Sequence, residues 1–138
     1  MSYKILSKFI KDISFEIPSV EAFILLEKEV SKYNLNFDIK SKPFKNNIIE
    51  INTILKLIPN SDVKHKILTE INFTSLVSIE NVDDKKEIEK IVLVKVPKEI
   101  YPNIYETFIY LFKQAGIKNL QIEKEIDFEK LYSEKNKS

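Results

Sequence analysis

Over the first two-thirds of the chain, polar and apolar residues alternate with a period of two, the spacing of strands that bury one face. Tyr3–Glu16 reads as a long strand. From Phe9 onward it carries Phe9, Ile13 and Phe15 on one face and Lys8, Asp12, Ser14 and Glu16 on the other, with Ile10 out of phase. Pro18 ends it, because proline has no N–H to give to a ladder. In Asn34–Lys42, Leu35, Phe37 and Ile39 oppose Asn34, Asn36, Asp38 and Lys40; Pro43 and Asn46-Asn47 then read as a turn. Ile48–Ile58 turns Ile49, Ile51, Thr53, Leu55 and Leu57 inward, leaving Ile48 and Ile54 beside Glu50, Asn52 and Lys56. Pro59-Asn60-Ser61-Asp62 is a strong turn signal. Lys64–Glu80 reads as the fourth strand, with Ile67, Ile71, Phe73 and Val77 on one face and Lys66, Leu68, Glu70 and Asn72 on the other.

The links between these strands are too short for crossover helices, except the first. An antiparallel sheet follows, one face packed and one wet. In the first link, Phe23-Ile24-Leu25-Leu26 either opens a short helix ending near Lys32 or forms a long apolar connection.

The last third changes period. Asp83-Asp84 and Glu87 suit a helix N-terminus. Lys85–Val96 reads as a helix, or through β-branched Ile91–Val94 as a strand, with Pro97 interrupting it. After Pro102 the spacing is helical: Ile104, Phe108, Leu111, Phe112 and Ala115 form one stripe and Tyr101, Tyr105, Ile109 and Phe112 an adjoining one. Gly116 stands where a left-handed residue closes a helix. Covering one sheet needs a stripe of about 100°, and this helix is apolar beyond that. The surplus fits a larger internal core or, the reading adopted here, a subunit interface through Tyr105, Phe108, Ile109 and Phe112. Ile117–Ile126 alternates as an extended segment, and Asp127-Phe128-Glu129-Lys130-Leu131-Tyr132 starts a short closing helix with an aspartate N-cap. The organisation is one α+β domain over residues 1–132, a four-stranded antiparallel sheet with one face covered by C-terminal helices. Residues 133–138 read as a disordered polar tail.

Composition narrows the chemistry. The chain has 138 residues, 43% hydrophobic and 31% charged, with a net charge of +1. Every basic residue other than His65 is lysine, whereas guanine readout and bidentate phosphate contacts favour arginine; nucleic acid is a poor partner. No cysteine is present, which removes thiolate catalysis, disulfides and cysteine-based zinc sites. A single glycine excludes phosphate loops and dinucleotide fingerprints. The single histidine, His65, lies among lysines at a predicted strand edge and reads as an ordinary exposed side chain. The carboxylates lie mostly in alternating Lys/Glu stretches. An enzyme would have to work with carboxylates and tyrosines alone, and none is expected. No apolar run reaches the ~20 residues of a membrane span, and the first residues lack a signal-peptide core.

Four strings, in order, carry a resemblance. Lys11-Asp12-Ile13-Ser14-Phe15-Glu16-Ile17-Pro18, Leu76-Val77-Ser78-Ile79, Val96-Pro97-Lys98-Glu99-Ile100-Tyr101-Pro102 and Asp127-Phe128-Glu129-Lys130-Leu131-Tyr132 resemble segments of the SecB protein-export chaperones. Thr74-Ser75 stand where that family usually has Gly-Gly, Asn103-Ile104-Tyr105 replace Tyr-Ala-Arg, and the tail bears lysines in place of acids. The resemblance implies a cytoplasmic, ATP-independent holdase that assembles as a homotetramer, a dimer of dimers. It would bind unfolded precursor proteins and deliver them to the translocase motor SecA, with no cofactor and no metal. It assigns motor docking to Asp12, Glu16, Leu68 and Glu70 on the wet face. Client binding falls to a groove of Tyr33, Leu35, Phe37 and Ile39, completed by Ile100, Tyr101 and Ile104 and by the connection Phe23–Leu26. The alternative within the family is a chaperone dedicated to one client, such as the antitoxin of a toxin–antitoxin pair; outside it, a small-ligand carrier with a cavity between helix and sheet.

Overall fold

The computed structural model describes residues 3–118, 120 and 122–135. Four strands, β1 (Tyr3–Glu16), β2 (Tyr33–Lys45), β3 (Ile48–Pro59) and β4 (Leu68–Ile79), form one antiparallel sheet in the order β1-β4-β3-β2. The order places β1 and β2 at the two edges.

Register explains the residue that alternation left out of phase. β1 carries two bulges, between Ile5 and Ser7 and between Ile10 and Asp12. Each inserts one residue and so exchanges the faces of everything beyond it. Between the bulges, Ile10 pairs with Phe73 on the helix-covered side and Phe9 pairs with Thr74 on the open side. The expected grouping of Phe9 with Ile13 and Phe15 is therefore corrected: Phe9 shares the outer face with Asp12, Ser14 and Glu16.

Other boundaries shift for local reasons. Pro43 lies inside β2, which tolerates it because β2 is an edge strand. The turn begins later, at Asn46, whose φ of 53° asparagine accepts more readily than most residues. β4 starts at Leu68, four residues later than expected from Lys64, so His65 precedes the strand.

The first connection is a helix, α1 (Val20–Glu29), followed by a 3₁₀ turn at Val30–Lys32. Ser19 caps α1 by accepting the Ala22 N–H at 3.1 Å. Its Ala22 and Leu26 are buried.

After β4 the chain is helical throughout Lys85–Gln114. α2 (Lys85–Lys90) is capped by Asp84, which accepts the Lys86 N–H. A π turn spans Ile91–Lys95, and α3 runs over Val96–Gln114. The run Ile91–Val94, β-branched except at Leu93, is thus helical, not a strand. Pro97 does not interrupt it: in a regular helix its ring would crowd the carbonyl four residues back. Just ahead of it the helix widens, and the Val96 N–H reaches Ile91 O, five residues back. Pro102 lies within α3, which begins earlier than expected. Gly116, at φ +92°, ends α3 as expected: its N–H donates to Lys113 O and the Ile117 N–H to Phe112 O. No strand forms among the described residues of 117–126.

α3 runs alongside β1 in the same direction. Tyr3 donates to Glu99 at 2.7 Å, Lys8 to Asn103 at 3.2 Å, and Phe15 meets Phe112 edge-on at 5.1 Å. Beneath it Ile51, Leu55, Ile71, Val77, Ile100, Ile104, Phe108 and Phe112 make the core. α4 (Phe128–Lys135) packs on the π turn, with Asp127 accepting the Lys130 N–H at 3.0 Å. Ser133–Lys135, read as tail, continue this helix; residues 136–138 lie outside the described residues. Among the described residues, no helix is long and apolar enough to cross a membrane.

Candidate functional site: a β2–α4 cleft and an open sheet face

Two surfaces, on opposite sides of the sheet, gather the predicted residues. The first lies along β2. Leu35, Phe37 and Ile39 face the helix side, paired with Leu57, Leu55 and Thr53, and remain half-buried because β2 is the edge strand. Two clefts flank α4 beside them. One, of about 810 Å³, runs between Val30, Tyr33, Leu35 and Phe37 and the Leu120, Ile122 and Ile126 side. The other, of about 590 Å³, is lined by Leu35, Phe37, Ile39, Leu93, Phe128 and Tyr132. Leu131, 42% exposed, lines both.

Aromatic rings back the clefts. Phe37, Tyr101 and Phe128 meet pairwise at 5.2–6.2 Å between ring centres. Tyr101 donates to Glu123 O at 2.5 Å. Burial, then the Glu123 carboxylate and Tyr105, push its hydroxyl up to about 12. Tyr33 is buried too, its hydroxyl accepting the Ile67 N–H at 3.1 Å.

This geometry corrects part of the expected groove. Ile100 and Ile104 are fully buried on the inner side of α3, and Tyr101 is nearly so, bracing the cleft from behind instead of offering surface. Phe128, Leu131 and Tyr132 were missed as groove residues. Their signal was present in the closing string at i, i+3 and i+4, but was assigned to a short terminal helix. Phe23 lies apart, its ring edge 3.4 Å from where a side chain on Gly116 would begin.

The expected subunit interface is corrected as well. Phe108 and Phe112 are fully buried, stacked at 4.6 Å within the subunit's own core, while Tyr105 and Ile109 are half-buried. α3's surplus girth is therefore absorbed largely inside the chain, between the sheet and the connection after Gly116. Along the helix side of β1 and the adjacent stretch of α3, Ile10, Ile13 and Tyr110 remain 36–61% exposed.

The second surface is the sheet's open face. Asp12 pairs with Asn72, Ser14 with Glu70 and Glu16 with Leu68, so all four predicted docking residues sit together on β1 and β4. Glu70 is 3.9 Å from Lys56. Neither Asp12 nor Glu16 has an ion-pair partner among the described residues. At the centre of this face Glu50 accepts from Asn52 at 2.8 Å and from Lys11 at 3.3 Å, with Lys42 at 3.9 Å. The Asn52 hydrogen bond first, then the lysines, outweigh burial and hold the Glu50 carboxyl below its usual range. Thr74 donates to Asn52 at 2.7 Å, completing a polar ladder across β3 and β4. No cluster of metal-ligating side chains occurs among the described residues.

The family model for the preprotein translocase subunit SecB matches residues 1–138. The chain belongs to the SecB family. A SecB protein-export relative from Pelagibacter ubique (strain HTCC1062) is 44% identical over 135 residues, 97% of this chain and 96% of its own length. Another, from Parvibaculum lavamentivorans, is 25% identical over 96% of this chain and 78% of its own. A SecB-like chaperone of Mycobacterium tuberculosis, solved in complex with an antitoxin peptide, shares the fold at a TM-score of 0.67. It is 16% identical, over 88% of this chain and 86% of its own. The chain therefore has the SecB fold and a place among the protein-export chaperones.

Proposed function

We propose that this chain is a cytoplasmic, ATP-independent holdase that binds unfolded precursor segments along the β2–α4 cleft and presents them to the SecA motor through the open sheet face. The observation that carries the reading is the division of labour across one sheet. Leu35, Phe37 and Ile39 turn toward the helix side, and Asp12, Glu16 and Glu70 toward the other, so client and motor can be held together without competing. Apolar burial is non-directional, which suits a cleft that accepts many sequences. Each client side chain buried there contributes about 1.5–3 kcal/mol, and several clefts in one assembly add avidity.

Assembly into a homotetramer, a dimer of dimers, is part of the reading. Its support is the unpaired edge of β1 and the exposed Ile10, Ile13 and Tyr110 beside it, which a monomer would leave in water. The half-buried Tyr105 and Ile109 extend that strip; Phe108 and Phe112 do not.

Light scattering should give a mass near four times 16.2 kDa, and the protein should suppress aggregation of a reduced, unfolded client without nucleotide. A monomer that leaves aggregation unchanged would overturn the reading. The second reading is a chaperone dedicated to one client, prompted by the antitoxin peptide bound to the Mycobacterium relative. Capture of a single antitoxin, with no effect on unrelated unfolded proteins, would select it.

A further inference from the structure

The β1 bulge at Lys11 has a consequence for the open face. It turns Phe9 outward, where the ring is 44% exposed and stands opposite Thr74. It also sends Lys11 across the sheet to Glu50, 3.3 Å away. The bulge thus adds an aromatic group to the face, and its extra residue, Lys11, is engaged with Glu50 and not with Asp12.

The strip that results has a definite order. Phe9 occupies one end. Asp12 and Glu70 follow, opposite Asn72 and Ser14, and Glu16 and Leu68 pair at the far end. There Leu68, 48% exposed, and Ile58, 42% exposed, line a shallow depression of about 310 Å³. From Thr74 to Leu68 along β4 is about 20 Å at strand spacing. Two apolar footholds are thus separated by three carboxylates, with Lys56 contributing one long ion pair, at 3.9 Å.

We infer that Phe9 is a second apolar anchor of the motor-docking surface. The occupant is a basic segment of the motor protein carrying apolar side chains at both ends, one seated on Phe9 and one on Leu68 and Ile58. Charge complementarity selects it: the unpaired Asp12 and Glu16 call for lysine or arginine between the anchors. This deepens the docking reading above and rests on it. An aromatic ring is also the better foothold of the two, since aromatic side chains dominate the fully desolvated centres of interfaces.

The test measures binding of the full assembly to purified SecA from the same organism at two salt concentrations. Phe9→Ser should weaken binding about 5- to 10-fold, because part of a ring's burial is lost, and by the same factor at both salts. Glu70→Lys should weaken it by a factor that shrinks at high salt, as screening predicts. If the unmodified protein does not bind, the docking reading fails and takes this inference with it. If it binds and Glu70→Lys loses affinity while Phe9→Ser does not, the inference alone is overturned. Should Phe9→Ser alter the assembly's mass, a photoreactive benzoylphenylalanine at position 9 replaces it. Crosslinking to the motor from position 9 but not from position 10, on the opposite face, supports the anchor; equal crosslinking from both, or none from 9, overturns it.

Discussion

On the covered face of the sheet the central side chains are Ile51, Leu55, Ile71 and Val77, none with any exposed surface. On the open face the central side chains include the polar Asn52 and Thr74, 8% and 1% exposed, beside Ile54 at 7%, with no helix above them. The same two strands achieve nearly equal burial by opposite means. Beneath α3, apolar volume excludes water, and the cost falls on three inward hydroxyls, Thr53, Thr69 and Ser75, whose side chains find no partner among the described residues. On the open face, polar side chains cover one another and their hydrogen bonds are made, through Glu50, Asn52 and Thr74. A satisfied ladder keeps a flat face wet at its rim and rigid at its centre. Such a surface can dock a partner without first rearranging.

Truncating one phenylalanine on each face separates the two modes of burial by the largest margin. Phe108→Ala should cost about 3–5 kcal/mol in urea unfolding, because it leaves a cavity in the core. Phe9→Ala, on the open face, should cost below about 1 kcal/mol. Equal losses would mean that Phe9 packs as core. A large change in assembled mass with Phe108→Ala, and little loss of stability, would return that residue to the interface.

A smaller effect tests the ladder. Asn52→Ala removes the acceptor of Thr74 and a donor to Glu50 and should cost about 1–3 kcal/mol. The same change should raise the Glu50 carboxyl toward its ordinary range, since the Asn52 hydrogen bond is the chief cause of its depression. A depressed folded value supplies stability above the unfolded pKa that is lost as pH falls. The variant's deficit should therefore narrow in acid. A deficit independent of pH would detach Glu50 from the network.

The smallest effect lies with the tyrosines. Tyr3 and Tyr101 are both pushed up to about 12, chiefly by burial, with Glu99 acting on the first and Glu123 on the second. Their folded values lie above the unfolded ones, so the contribution is intact below about pH 10 and is lost as pH rises toward 12. Absorbance titration should show a late tyrosinate phase, which Tyr101→Phe reduces. An unchanged late phase would place Tyr101 in water, away from the rings that back the clefts.

Much of this was legible in the alternation itself. β1, β3 and the outward phase of Asp12, Glu16, Leu68 and Glu70 follow from period two alone, because side chains on a strand must point to opposite faces. Gly116 was legible because one backbone conformation there favours glycine. Ser133–Lys135 were not, because a polar helical turn and a polar tail share one composition. Nor was Phe9: a bulge inverts parity without any residue type that announces it, and only the out-of-phase Ile10 hinted at one.

Local pattern therefore determined which strands form, which way most of their side chains point, and which family the chain resembles. All three depend on neighbours within a few residues. Tertiary structure alone decided whether an apolar helix face is core or interface, because burial depends on what packs opposite. It buried Ile100, Ile104, Phe108 and Phe112 of α3 against the sheet, left Leu131 open beside β2, and turned Phe9 to the face that the sequence pattern had denied it. Each of these outcomes depends on pairings between segments distant in the chain, where the energy of contact is set by shape and register and not by the order of residues.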